Sequence, residues 1–176
     1  MTPRSLFLAL LLFALPVFAQ PLDHEIAISY GRTETEQAGD APAIGASYAR
    51  FWTDGIATRI GGHTAGEDYP DDQGDKAVGA YFAVAEYHFF RGRTLSPYGG
   101  AGLAYGFART HLSHANFRKS DSVLTAMLTA GLDVNVTRRL AIAGDIRYMK
   151  FDPDLGDRHG STLDPTTVMA SVKYRF

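Results

Sequence analysis

The sequence predicts an all-β fold, an eight-stranded antiparallel transmembrane β-barrel with short periplasmic turns and longer extracellular loops. Three observations predict it. Apolar and polar or small residues alternate with period two along eight segments. Short and long connections alternate between those segments. Aromatic residues gather near both ends of one face. In a strand, successive side chains point to opposite faces. A barrel in a bilayer turns one of those faces to lipid and the other to its lumen.

Residues 1–19 read as a signal peptide and residues 20–176 as the outer-membrane barrel domain. Arg4 gives a positive start, residues 6–15 are an unbroken apolar run, and Val17-Phe18-Ala19 fits a small-x-small cleavage pattern. That run is too short for a spanning helix, which needs about 20 apolar residues. The chain carries 17 Lys and Arg against 19 Asp and Glu, a net charge of −2, and loss of Arg4 makes it more negative. A nucleic-acid partner is therefore not expected. There is no cysteine, so disulfides, thiolate metal sites and cysteine nucleophiles are excluded. No cofactor and no metal site are expected.

The eight segments follow in order. In 25–32, Ile26, Ile28 and Tyr30 alternate with Glu25, Ala27 and Ser29. In 44–52 the alternation weakens, because Arg50 shares a face with Ala46, Tyr48 and Trp52. In 56–64, Ile56, Thr58 and Ile60 oppose Ala57, Arg59 and Gly61. In 78–90, Tyr81, Ala83, Ala85, Tyr87 and Phe89 oppose Phe82, Val84, Glu86 and His88. In 98–109, Ala101, Leu103, Tyr105 and Phe107 oppose glycines and Ala104. In 122–136, alternate Leu, Ala and Val oppose Thr125, Met127, Thr129, Gly131 and Asp133. In 140–151, Leu140, Ile142, Ile146 and Tyr148 oppose Asp145, Arg147 and Met149. In 168–176, Val168, Ala170, Val172, Tyr174 and Phe176 oppose Met169, Ser171, Lys173 and Arg175.

Long polar connections are expected at 33–42, 65–77, 110–121 and 152–166, and short ones at 53–55, 91–96 and 137–139. None of the long connections reads as a strand-rich extension. On the outer face, Tyr30, Tyr105, Phe107 and Tyr148 mark the long-loop end. Trp52, Tyr87, Phe89, Tyr174 and Phe176 mark the turn end. Two aromatic girdles suit two membrane interfaces. A water-soluble lipocalin-like barrel would instead face its apolar side inward.

Several stretches resemble the OmpW family: Phe51-Trp-Thr-Asp-Gly-Ile-Ala-Thr-Arg-Ile, Ser96-Pro-Tyr-Gly-Gly-Ala-Gly-Leu-Ala-Tyr, Asp145-Ile-Arg-Tyr-Met-Lys-Phe-Asp-Pro-Asp and Leu163-Asp-Pro-Thr-Thr-Val-Met-Ala-Ser-Val-Lys-Tyr-Arg-Phe. The Pro-Tyr-x-Gly-x-Gly strand and the Tyr-Arg-Phe ending also resemble the wider OmpA/OmpX-like group. The resemblance implies an outer-membrane barrel with a narrow hydrophobic lumen, linked to passage of small apolar compounds. Outer-membrane lipid, lipopolysaccharide and the barrel-assembly machinery, through the Phe176 strand, are the expected partners, with a small apolar solute as a further one.

Two groups of inward residues carry the functional reading. Glu25, Glu86, His88, Asp133, Lys173 and Arg175 in the periplasmic half, with Arg59, Asp145 and Arg147 nearer the middle, form an expected charge network that plugs the lower lumen. Charges facing lipid would cost about 2–4 kcal/mol each at the midplane. Phe82, Val84, Met127, Met149 and Met169 lie at or above mid-depth as an expected apolar lining. Methionine is flexible and suits adaptable surfaces, so this lining is either tight packing or a site for a small apolar solute. A plug below would then force the solute to leave sideways, and Met127→Asp should reduce uptake while folding survives. Two other classes compete. An adhesion-type barrel would act through its loops. A lipid A hydrolase would use His111, Ser113 and His114, but the pattern lacks the family's Asn after the serine and an orienting acid. No catalysis is expected. The acidic residues of 65–77 and 152–166 read as solvated loops rather than cation sites, since neither has EF-hand spacing.

Overall fold

The computed structural model describes residues 23–35, 39–68, 74–112, 117–150 and 165–176. Eight antiparallel strands close into a barrel in sequence order. They are β1 (His24–Thr35), β2 (Gly39–Phe51), β3 (Ile56–Asp68), β4 (Gly74–His88), β5 (Leu95–Leu112), β6 (Phe117–Asn135), β7 (Leu140–Met149) and β8 (Thr166–Arg175). The expected leader lies outside the described residues.

Period two sets the two faces. Along β7 exposed and buried residues alternate without a break. Ile28, Tyr30, Leu103, Leu124, Leu128, Ile142 and Val172 all face outward and stay largely exposed. In water that belt would be a severe liability. Facing hydrocarbon it is the favourable arrangement. Closure leaves every strand edge paired, which a membrane interior requires.

The closing seam explains why β8 finds β1. Glu25, Ser29 and Thr33 pair directly with Arg175, Ser171 and Thr167. All six point inward and are buried. Arg175 Nε donates to Glu25 at 2.7 Å, the Ser171 hydroxyl to Ser29 at 2.8 Å, and the two threonine hydroxyls lie 2.9 Å apart. Complementary polar partners thus recur at every fourth residue of the seam and fix its register.

The short turns use threonine chemistry. Thr53 Oγ1 accepts from the Ile56 amide at 3.0 Å, and Thr137 Oγ1 accepts from the Leu140 amide at 2.9 Å. The β4–β5 turn instead uses left-handed backbone at Phe90 and Gly92.

The long connections differ from the sequence expectation. Strand pairing runs well into them. The β5–β6 ladder continues five pairs past Phe107↔Ser122, from Ala108↔Asp121 to Leu112↔Phe117. The β3–β4 ladder continues to Asp68↔Asp75, and the β1–β2 ladder to Thr35↔Gly39. Polar composition suggested loops, but hairpin strands above a membrane face water on both sides and need no apolar alternation. By contrast, the β7–β8 ladder stops at Tyr148↔Thr166, level with the upper girdle. Three hairpins therefore carry strand pairing above the upper girdle, and among the described residues the β7–β8 ladder ends at it.

Candidate functional site

The lumen is where the inward residues meet. Its lower half holds a ring of ion pairs. Glu25 accepts from Arg59 Nη2 at 2.7 Å, and Arg59 Nε donates to Glu86 at 2.9 Å. Glu86 contacts His88 Nε2 at 3.1 Å, and His88 Nδ1 lies 3.7 Å from Asp133. Asp133 takes Lys173 Nζ at 2.7 Å and Arg175 Nη2 at 2.8 Å. Arg175 Nε returns to Glu25 at 2.7 Å. Five strands contribute, so the ring ties the barrel wall across its bore.

Three carboxylates face three permanent cations, with His88 between two of the acids. All seven side chains are buried. Such charges are tolerable only when each is paired and hydrogen-bonded, and here each acid takes at least two partners. Aromatic rings fill the remaining space. His88 stacks on Tyr98 with centroids 4.8 Å apart and meets the edge of Phe51 at 5.0 Å. Lys173 Nζ lies 4.4 Å from the Tyr98 ring centroid.

Asp145 and Arg147 do not join this ring. They form their own pair, Arg147 Nε to Asp145 at 2.7 Å, and the Arg147 guanidinium lies 5.0 Å from the Phe82 ring centroid. The nine charged residues thus occupy two layers.

The apolar residues also divide. Phe82, Val84, Met127 and Met149 pack together with Ala80 and Ala104. Met169 packs in a separate cluster with Ala43 and Ala65. Met127, Met149 and Met169 are at most 2% exposed. The free space between the charged and apolar layers is about 10 Å³, room for about one water molecule. His63 lies beside Phe82, with ring centroids 6.2 Å apart, and its Nδ1 has no hydrogen-bond partner among the described residues.

Sequence reasoning missed Tyr98 and Phe51. Both have the inward parity of their strands, so the signal was present. Parity alone marks them as inward, but nothing in the strand pattern marks them as neighbours of His88. Tyr81 joins the upper girdle at 64% exposure. Phe107 is only half-exposed, because it leans over Gly79, where a Cβ would sit 2.5 Å from its ring.

The remaining candidates lie elsewhere. His111 falls within β5 rather than in a loop, while Ser113 and His114 lie outside the described residues. So do Asp71, Asp72, Asp152, Asp154, Asp157 and Asp164, whereas Glu67, Asp68 and Asp75 fall on strands.

A family profile described as outer membrane protein beta-barrel domain matches residues 5–176. It is the broad family and does not single out the OmpW branch. The comparison with curated proteins gave no match. Among solved structures, the barrel is similar to Neisserial surface protein A, with TM-score 0.66, 16% identity, and 87% of this chain and 96% of that one covered. It is similar to Ail, the attachment invasion locus protein of Yersinia pestis in complex with the heparin analogue sucrose octasulfate, with TM-score 0.65, 19% identity, and 87% and 97% covered. It is also similar to outer membrane protein OprG from Pseudomonas aeruginosa, with TM-score 0.64, 13% identity, and 88% and 96% covered. At these identities the likeness is one of fold.

Proposed function

The chain belongs to the outer membrane protein β-barrel domain family and resides in the outer membrane, and we propose that it is a closed, non-catalytic barrel that acts through its raised hairpins at the cell surface. The observation that carries this reading is the continued strand pairing above the upper girdle. Five further residue pairs on β5–β6 extend about 17 Å at roughly 3.4 Å per residue. The bore beneath is filled by a charged layer and an apolar layer. A filled bore with ordered projections fits presentation better than conduction. Ail, of similar fold, is described as an attachment protein.

The test is binding of bacteria that display the barrel to cultured host cells. Replacing residues 65–77 with a short Gly-Ser link should abolish that binding while the shortened barrel still assembles and shows heat-modifiable migration. Equal binding by the shortened form contradicts the reading.

A second reading is binding or passage of small hydrophobic molecules through the partly apolar lumen. It is favoured by the cluster of Phe82, Val84, Met127 and Met149 directly above the charged ring. Methionine side chains can rearrange to admit a solute, which would then leave sideways because the ring blocks the axis. Met127→Asp is a poor test, since it would bury a carboxylate against Phe82 and Met149. Met127→Ala is the better one. It should speed entry of a small apolar probe into liposomes if the lumen is the route, and leave it at the lipid-only rate if it is not.

A further inference from the structure

Arg50 interrupts the alternation of β2. Its neighbours Ala49 and Phe51 are buried in the lumen, so Arg50 takes the outward face with Tyr48 and Trp52 and is exposed. The buried arginines of the bore, Arg59, Arg147 and Arg175, each hold a carboxylate. Arg50 has no carboxylate partner among the described residues. Its guanidinium carbon lies 4.3 Å from the Trp52 ring centroid instead.

The surroundings hold this group at one depth. Trp52 Nε1 donates to Thr58 Oγ1 at 2.9 Å, which fixes the ring beside the guanidinium. His24 pairs directly with Arg50 across β1 and β2. The His24 ring stacks with Tyr48 and with Phe176, at centroid distances of 5.9 and 5.7 Å, and its Nδ1 lies 2.6 Å from the Tyr48 hydroxyl. With the Tyr48 hydroxyl donating to Nδ1, the neutral ring carries its proton on Nε2. The Phe176 amide donates to the His24 carbonyl at 2.9 Å, which ties the pair to the end of β8. Arg50 and His24 therefore sit level with Trp52 and Phe176 in the turn-end girdle, where such rings meet lipid headgroups.

We propose that this corner of the outer wall binds the phosphodiester headgroup of a glycerophospholipid in the periplasmic leaflet. A guanidinium stacked on an aromatic ring uses its face there and keeps its N–H fork free at the edge. The Arg50 fork matches two phosphate oxygens. His24, on the facing strand, adds a ring N–H. Trp52, Tyr48 and Phe176 offer apolar faces to the glycerol and the first chain carbons.

The experiment uses Trp52, the only tryptophan of the chain, as its reporter. The barrel, folded in non-ionic detergent micelles, is titrated with rising mole fractions of phosphatidylglycerol, and separately with diacylglycerol, which lacks the phosphate. Trp52 emission should respond saturably to phosphatidylglycerol and not to diacylglycerol. In Arg50→Gln, at an exposed position, half-saturation should need about tenfold more lipid, a weakening of about 1.4 kcal/mol. Lipid retained on the barrel in native mass spectrometry should fall in parallel, which separates lost binding from a changed reporter. Arg50→Lys, a point charge without the fork, should fall between the two. Arg139→Gln, exposed on the β6–β7 turn, should bind as the wild type does. Equal responses to the two lipids, unchanged binding in a folded Arg50→Gln barrel, or an equal loss in Arg139→Gln overturns the proposal. Glycerol 3-phosphate binding as tightly as the lipid would place the ligand in water rather than in the leaflet, and overturns it too.

Discussion

Glu25 is fully buried and meets three cations, Arg59 and Arg175 at 2.7 Å and Lys173 at 3.8 Å. Glu25→Gln removes the charge and leaves that positive cluster short of one partner. Breaking a buried network this way costs about 3–5 kcal/mol, so the urea midpoint of the folded barrel should fall by the corresponding amount. Arg147→Gln should cost less. It strands only Asp145, whose Oδ2 lies 3.4 Å from the Ser171 hydroxyl, which can turn from Ser29 to donate to it. The double change Asp145→Leu/Arg147→Met should recover most of that loss, because two apolar groups leave no buried charge. No recovery in the double variant would mean the pair does more than fill space. At this scale the sequence was informative about parity and poor about partners. Inward position followed from alternation alone. That Asp145 and Arg147 are neighbours follows from their places two apart on β7, but that Glu25 pairs with residues on β3 and β8 depends on depth and barrel stagger. Period two does not encode either. Tyr98 and Phe51 show the same limit, since nothing local says that an aromatic ring will stack on His88.

Strand length separates the membrane part of each element from what rises above it. About 9–11 residues cross a bilayer in a barrel strand, yet β5 has 18 and β6 has 19. Alternation identifies only the crossing part, because only there does one face meet hydrocarbon. Above the girdle the constraint ends, and strand and loop have similar compositions. That is why the upper hairpins read as loops while the short turns, marked by Thr53 and Thr137, were placed within a residue or two. Close strand packing makes a further demand. At Gly102 a Cβ would lie 2.1 Å from the Ala83 carbonyl oxygen and 2.6 Å from Val84 Cα. Neither backbone atom can swing aside. Gly102→Ala should force β4 and β5 apart and cost about 1–3 kcal/mol, read as a lower unfolding temperature in detergent. A variant as stable as wild type would mean that the barrel wall gives there more readily than its geometry indicates.

Among the described residues the molecule is a closed wall around a filled bore, with strand pairing continued above the upper girdle in three hairpins. Lipid contact, closure and the paired lumen reinforce one another. The outer apolar belt requires a bilayer, the bilayer requires closure, and closure brings β8 to β1 so that Arg175 completes the ion ring. This much of the architecture was legible from eight alternating segments, because each of its causes acts along the whole chain. Whether the bore transmits anything is a property of how side chains from different strands fill it, and the strand pattern is silent there. The most direct test of the account is ion conductance of the reconstituted barrel in a planar bilayer. A bore with about 10 Å³ free between its two layers should give no discrete channel steps above the lipid background. Steady, single-sized conductance steps from folded barrels would contradict the closed lumen and return the axis to the list of transport routes.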